Sequence, residues 1–183
     1  MDDHTLLKPI TDADWPVEIS DMHDGFAGSL NVYRIMAHHP ALLRAWQHYR
    51  DHVVVHSVLG KQRSEVVILR TGHRLDAKYE LVHHVIRALN CGLDEARIAT
   101  LRGPLGAMQQ EDAVLVGAVD DLVDHASLSE ANLRAVDALV GSKGVLDLMA
   151  TVGLYSTLAF IVKSYDVPID NDVIAAFAET AAQ

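Results

Sequence analysis

A glutamate and a histidine stand one helical turn apart in the segment Tyr79-Glu80-Leu-Val-His-His84. Residues four apart on an α-helix share a face, so we expect the carboxylate of Glu80 and the imidazole of His84 to lie side by side. A second carboxylate, Glu65, occurs nineteen residues before His84 in another apolar segment. Two acids and an imidazole that a fold brings together form a site able to transfer protons.

These residues also have simpler interpretations. Glu80 and His84 could form a surface pair that contributes only about 0.2–0.5 kcal/mol, and Glu65 could be a solvated helix position. His83 points about 100° away from His84 on a helix, so we expect it to be structural or to face solvent. His73 follows Glu65 on the same predicted helix and is a candidate for the lining of the same pocket.

Three evenly spaced histidines and the single cysteine are further candidates for metal binding or redox chemistry. His48, His52 and His56 are spaced by four residues, but a transition-metal site needs further ligands that the sequence does not identify. A polar stripe or a subunit contact is therefore the favoured interpretation, and no metal site is predicted. Cys91 is the single cysteine, which excludes an internal disulfide and a two-cysteine redox centre within one chain. Its position before Gly92, at a predicted helix end, is typical of a small buried residue.

The composition favours one helical domain. The chain has 183 residues, of which 50% are hydrophobic and only 5% aromatic, a balance typical of packed helices. A net charge of −10 opposes binding to nucleic acid and to anionic membranes. The acidic N-terminus leads into no apolar run, which predicts no signal or transit peptide and a cytoplasmic location.

Apolar periodicity and helix-capping residues predict the elements. Residues 1–27 are expected to form an irregular arm that could lie on a neighbouring subunit, and residues 28–183 a helical domain. Asp76 is predicted to cap the helix that carries His84. The last long helix is apolar on nearly every face, which indicates a central position or a subunit interface. The predicted helices span residues 29–38, 40–59, 62–74, 77–90, 95–101, 112–124, 130–140 and 143–165.

Three motifs make the chain resemble the carboxymuconolactone decarboxylase family, which includes the alkyl hydroperoxidase D proteins. They are Arg63-Ser-Glu65-Val-Val-Ile-Leu-Arg70, Tyr79-Glu80-Leu-Val-His-His84 and Ala88-Leu-Asn-Cys-Gly92-Leu-Asp-Glu-Ala-Arg-Ile98. The resemblance covers residues 63–101 closely and about residues 40–165 loosely. It implies a single-domain, alkyl hydroperoxidase D-like helical bundle that assembles as a homo-oligomer, such as a trimer or hexamer.

The two branches of this family imply different chemistry. In the peroxidase branch the resemblance matches Glu65 and His84, but the two cysteine positions of its Cys-x-x-Cys motif hold Ala77 and Glu80. Neither residue can attack a peroxide or resolve a disulfide. Alkyl hydroperoxidase or peroxiredoxin-type activity is therefore an alternative that rests on family membership alone.

The decarboxylase branch resembles Tyr-Glu-Trp-x-x-His, which Tyr79, Glu80 and His84 fit, with Leu81 in place of the tryptophan. Loss of CO₂ from a lactone acid leaves an enolate-like carbanion that an acid must protonate. Glu80 or His84 could supply that proton, Glu65 could orient and recharge the imidazole, and Tyr79 could bind a substrate oxygen.

The resemblance and the residues together favour a decarboxylase-like enzyme. It would act on a small lactone or aromatic-derived acid, with Glu65, Glu80 and His84 as catalytic residues and Tyr79 and His73 as substrate-binding residues. No cofactor is needed if the substrate has its own conjugated carbonyl. The rival of another class is a non-catalytic helical binding protein, which would leave Glu65 and Glu80 exposed instead of facing a closed cavity.

Overall fold

The computed structural model describes residues 6–180, with side chains described for residues 6–175. Helices form the regular structure, and this part of the chain contains no β-strand, so the predicted all-α class is confirmed. The α-helices are α1 (Phe26–Ser29), α2 (Asn31–Met36), α3 (Pro40–Asp51), α4 (Lys61–Arg74), α5 (Lys78–Asn90), α6 (Glu95–Thr100), α7 (Gln110–His125), α8 (Glu130–Ser164) and α9 (Asn171–Thr180).

The segment before α1 packs against the chain's own core. It forms two 3₁₀ turns, Asp12–Asp14 and Val17–Met22, and buries Ile19 and Met22 in the cluster that also contains side chains of α2 and α3. The described part of the predicted arm is thus a layer of the domain. Residues 1–5 of that arm lie outside the described residues.

Helices α4 and α5 form the hairpin at the centre of the fold. A side chain at Gly72 would place its Cβ 3.0 Å from Cδ2 of Leu81, so the glycine permits a close approach of the two helices. The predicted cap at Asp76 is wrong. Asp76 has a φ of 49° in the connection, and Ala77 takes the N-cap position without a side-chain hydrogen bond. An aspartate tolerates this left-handed conformation better than most residues do.

Two apolar clusters meet at this hairpin. The first contains Ile68 of α4 and Tyr79 of α5 with side chains of α2, α3 and the second half of α8. The second contains Val66 and Leu69 of α4 with side chains of α6, α7 and the middle of α8. Since α4 contributes to both clusters, apolar packing on either side fixes the position of its polar residues.

Helix α8 is interrupted at Gly141, whose φ of 72° and ψ of 169° are not helical. This break lies where the sequence predicts one helix to end and another to begin. By length and composition the helix could cross a membrane, since one stretch of 18 residues has a mean hydropathy of 1.8. However, 56% of that stretch is buried inside the domain. Such burial is typical of a core helix of a folded bundle.

The predicted helix over residues 40–59 changes its winding near its end. After α3, residues His52–His56 form a π-helical turn, and a loop follows to α4. The π turn holds more residues than an α turn, so the spacing of His48, His52 and His56 does not keep them on one α-helical face. Instead, His52 Nε2 lies 2.7 Å from Oδ1 of Asp147 on α8.

We expect Gly72→Val to lower the free energy of unfolding by about 1–3 kcal/mol, because the added atoms would force apart a closely packed helix pair. Urea unfolding measures this change. Gly106→Ala is the control, since a Cβ there meets no atom within 4 Å. Equal stabilities of the two variants would contradict the proposed close approach.

Candidate active site

Helices α4 and α5 bring Glu65 and His84 into direct contact. Oε2 of Glu65 lies 2.7 Å from Nδ1 of His84, and the two side chains are 12% and 5% exposed. A carboxylate at Nδ1 holds the imidazole in one orientation and leaves Nε2 for the other side of the ring. The edge of the His84 ring packs against Tyr155 of α8 with 4.8 Å between ring centres, which limits its rotation further.

Glu80 lies on the other side of the imidazole. Its Oε2 is 3.8 Å from Nε2 of His84, too far for a direct hydrogen bond, and its buried Oε1 has no hydrogen-bond partner among the described residues. Burial raises the pKa of the Glu80 carboxyl, although the nearby His84, His83 and Arg87 act in the opposite direction. A carboxyl with a raised pKa keeps its proton to higher pH, which suits a general acid.

Two adjoining spaces surround these groups. A small internal cavity of about 20 Å³ is bordered by Glu80 and His84, and a larger cleft of about 710 Å³ is bordered by Glu65. Val54, Arg87 and Tyr155 border both spaces, so the two spaces adjoin. The Glu65–His84 pair lies between them, with Glu65 at the cleft and His84 at the cavity beside Glu80.

Tyr79 borders the cavity, but its hydroxyl is already bound. It donates a hydrogen bond to Oδ2 of Asp170, which also lies 2.9 Å from Nε2 of His83. Asp170 is buried, and its burial would raise its pKa, but the hydrogen bonds from His83 and Tyr79 lower it overall. Burial and Asp170 together raise the pKa of Tyr79 above its usual range. The structure thus gives the hydroxyl of Tyr79 a partner within the protein, in place of the predicted substrate oxygen.

The hydrogen bonds around Asp170 also account for the buried position of His83. Its Nδ1 lies 2.7 Å from the carbonyl oxygen of Tyr79, and its side chain is 5% exposed. His83 is therefore a structural residue, and the alternative that it faces solvent is wrong. Asp170 was missed by sequence reasoning, because it follows α8 in a connection that carries no motif and is 87 positions away from His83.

His73 does not lie with the other predicted site residues. It borders neither the cavity nor the cleft. Partial burial together with the cations of Arg102 and Arg70 lowers the pKa of His73 to about 4. The prediction that His73 lines the pocket is not supported, since two turns of α4 separate it from Glu65 and turn it towards these arginines.

Cys91 borders the cleft at the end of α5, and its thiol donates a hydrogen bond to the carbonyl oxygen of Ala88 at 3.3 Å. Burial and the charge of Glu65 raise the pKa of Cys91, which keeps the sulfur protonated. Within the described residues, no group of three or more histidine, cysteine, aspartate or glutamate side chains is arranged to hold a metal ion.

Comparisons with known proteins support the resemblance. Residues 40–119 match the model of the carboxymuconolactone decarboxylase family. A variant of the debrominase Bmp8 in complex with 2,3,4-tribromopyrrole has a similar crystal structure, with a TM-score of 0.77 and 12% identity over 96% of this chain and 97% of that chain. A peroxidase-related protein from Silicibacter sp. TM1040 matches with a TM-score of 0.76 and 15% identity over 94% and 95%. These structures share the fold, and no curated protein sequence matches the chain.

We expect Glu80→Gln to remove a pH dependence of stability. Because the folded pKa of Glu80 is raised, the free energy of unfolding is highest below the unfolded pKa of about 4.3 and falls as the pH rises through the folded pKa. An amide cannot ionise, so the stability of the variant relative to the wild type should rise as the pH increases from 4 to 8. Urea unfolding across this range measures the gain. Glu95 is exposed on α6, so Glu95→Gln is the control. Parallel curves of stability against pH for the wild type and E80Q would contradict a raised pKa of Glu80.

Proposed function

Because residues 40–119 belong to the carboxymuconolactone decarboxylase family, we propose that the protein is a cofactor-independent, decarboxylase-like enzyme acting on a small cyclic acid. The observation that supports this most directly is the buried carboxyl of Glu80 beside His84, whose other nitrogen is bound by Glu65. A non-catalytic helical protein has no need to bury an unpaired carboxyl, which is costly. This arrangement favours catalysis over a pure binding role.

The reaction begins when the bond between a ring carbon and the substrate carboxylate breaks. The electron pair passes into the conjugated carbonyl of the substrate, CO₂ leaves, and an enolate forms. Protonated Glu80 gives its proton to the enolate carbon, which completes the product. His84 returns a proton to Glu80 from solvent, and Glu65 keeps the imidazole oriented.

The cleft supplies the features that a small acid needs. Lys61 and Arg87 border it, and neither forms a side-chain hydrogen bond to another described residue, so both cations are available to a carboxylate. The volume of about 710 Å³ suits a small cyclic molecule. The debrominase of the same fold is in complex with a small heteroaromatic ring, which supports a ligand of that size.

Peroxidase chemistry is less consistent with these residues. Ala77 is fully buried, and Glu80 supplies a carboxyl where a thiol is needed. Cys91 is beyond the motif and has a raised pKa, so it lacks the thiolate that attacks peroxide.

The test is release of CO₂ from a panel of unsaturated lactone acids, with incorporation of deuterium from D₂O into the product followed by NMR. We expect Glu80→Gln to lower the turnover rate by about 10²–10⁴-fold, as loss of a general acid does, and Glu65→Gln to lower it less. Glu95→Gln should leave the rate unchanged. Turnover of none of these acids, or full turnover by E80Q, would contradict the proposed mechanism.

We also propose that the protein forms a homo-oligomer through the exposed face of α8. Leu146 and Phe160 are 66% and 61% exposed, and Gly153 lies midway between them, so the three positions follow a spacing of seven residues. Such a stripe is typical of helix–helix packing. Val55 and Val58, between α3 and α4, are also exposed, and Val55 borders the cleft.

We expect Phe160→Glu to lower the oligomer mass measured by light scattering after size-exclusion chromatography, because a charge would be buried in the contact. Leu133→Glu, exposed on the other part of α8, should leave the mass unchanged. A monomeric wild type would contradict self-association.

A further inference from the structure

The small cavity contains a second unsatisfied polar group, which the proposed mechanism has not used. Nε of Arg50, near the end of α3, is buried and has no hydrogen-bond partner among the described residues. The Arg50 side chain is 17% exposed and borders the cavity together with Glu80. Oε1 of Glu80 is the complementary unsatisfied atom.

Other contacts hold the Arg50 guanidinium in place. Its Nη1 donates a hydrogen bond to Oδ1 of Asp51 at 2.9 Å, and its central carbon lies 4.6 Å from the centre of the Phe26 ring. The planar group is thereby fixed on one edge and on one face. Its Nε–H is therefore preorganised, whereas a flexible lysine would have to be ordered on binding.

Leaving a buried donor without a partner costs about 1–3 kcal/mol, so an unpaired N–H of a charged group needs an explanation. None of the polar residues that border the cavity accepts a hydrogen bond from Arg50 Nε, although Tyr33, Tyr155 and Glu80 lie among them. Tyr79 and His83 are bound to Asp170, and His84 is bound to Glu65. A ligand oxygen that enters the cavity would meet an unpaired N–H.

We propose that the cavity is an oxygen-binding subsite in which Arg50 Nε–H donates a hydrogen bond to the carbonyl oxygen of the substrate. This inference rests on the proposed function for the identity of the oxygen. A volume of about 20 Å³ admits one small group, and the adjoining cleft takes the rest of the molecule. As the bond to CO₂ breaks, negative charge develops on that oxygen, and a fixed, buried cation stabilises it. Glu80 borders the same cavity and protonates the neighbouring carbon.

Arg50 and Glu80 have different roles in the proposed reaction. Arg50 stabilises the enolate oxygen from α3, while Glu80 supplies the proton from α5. Lys61 and Arg87 bind the carboxylate that leaves, from the cleft.

A binding experiment with the neutral lactone furan-2(5H)-one tests this subsite without turnover. The probe has the conjugated carbonyl but no carboxylate, so it does not depend on Lys61 or Arg87. In protein labelled with ¹⁵N-arginine, we expect the Arg50 Nε–H signal to shift on titration, and the ¹³C signal of the probe carbonyl to move downfield. These signals are measured on the wild type and need no variant.

Variants then assign the contact. Arg50→Gln should weaken binding of the lactone about tenfold, which corresponds to the usual worth of one hydrogen bond. Arg50→Lys keeps the charge and should recover only part of the affinity. Arg44→Gln, on the exposed side of α3, should bind like the wild type. Thermal unfolding of each variant verifies that it is folded.

The outcomes separate this inference from the proposed function. An Arg50 Nε–H signal that does not respond to the lactone, or equal affinity of R50Q and wild type, would overturn the oxygen-binding subsite. Binding through Arg50 without release of CO₂ from any lactone acid would keep the subsite and refute the decarboxylase assignment. Release of CO₂ that R50Q retains in full would refute the subsite alone.

Discussion

The packing of α4 against α5 is the constraint on which the site depends. Gly72 allows the helices to approach closely, and the apolar residues of α4 are buried on both of its sides, so neither helix can shift along the other without losing packing. Glu65 and His84 then meet at 2.7 Å as a consequence of helix position. A hydrogen bond held by the core in this way is better oriented than one formed between flexible surface side chains.

Buried polar groups in this protein fall into two kinds. Asp112 is fully buried, but Arg97 donates two hydrogen bonds of 2.8 Å to it, and Asp170 receives hydrogen bonds from Tyr79, His83 and the backbone of Asn31. Their partners offset the cost of burial, and such groups stabilise the fold. Among the described residues, Trp46, Glu80 and Arg50 have buried side-chain atoms without partners, and Glu80 and Arg50 border one cavity. Their shared cavity is the observation that supports the proposed ligand site.

The sequence predicts the parts of this arrangement that depend on helical periodicity and known motifs. The all-α class, the helices near residues 62–74 and 77–90 and the Glu65–His84 contact follow from spacing and from the family resemblance. Partners that are distant along the chain could not be predicted in the same way. Asp170 and Tyr155 reach α5 only because α8 and the segment after it fold back onto the hairpin. The π-helical turn after α3 is likewise set by packing, which periodicity alone does not encode.

The residue one turn before His84 is where this chain departs from the peroxidase branch of the family that it resembles. In the peroxidase branch that position holds a thiol, and in this chain it holds Glu80. A thiol must lose a proton before it attacks, and a general acid must gain one between turnovers, so both need a group that exchanges protons with solvent. The Glu65–His84 pair meets that need in either case, because it lies between the open cleft and position 80. In the proposed mechanism the pair handles the proton, and a carboxyl in place of a thiol at position 80 favours proton transfer over electron transfer.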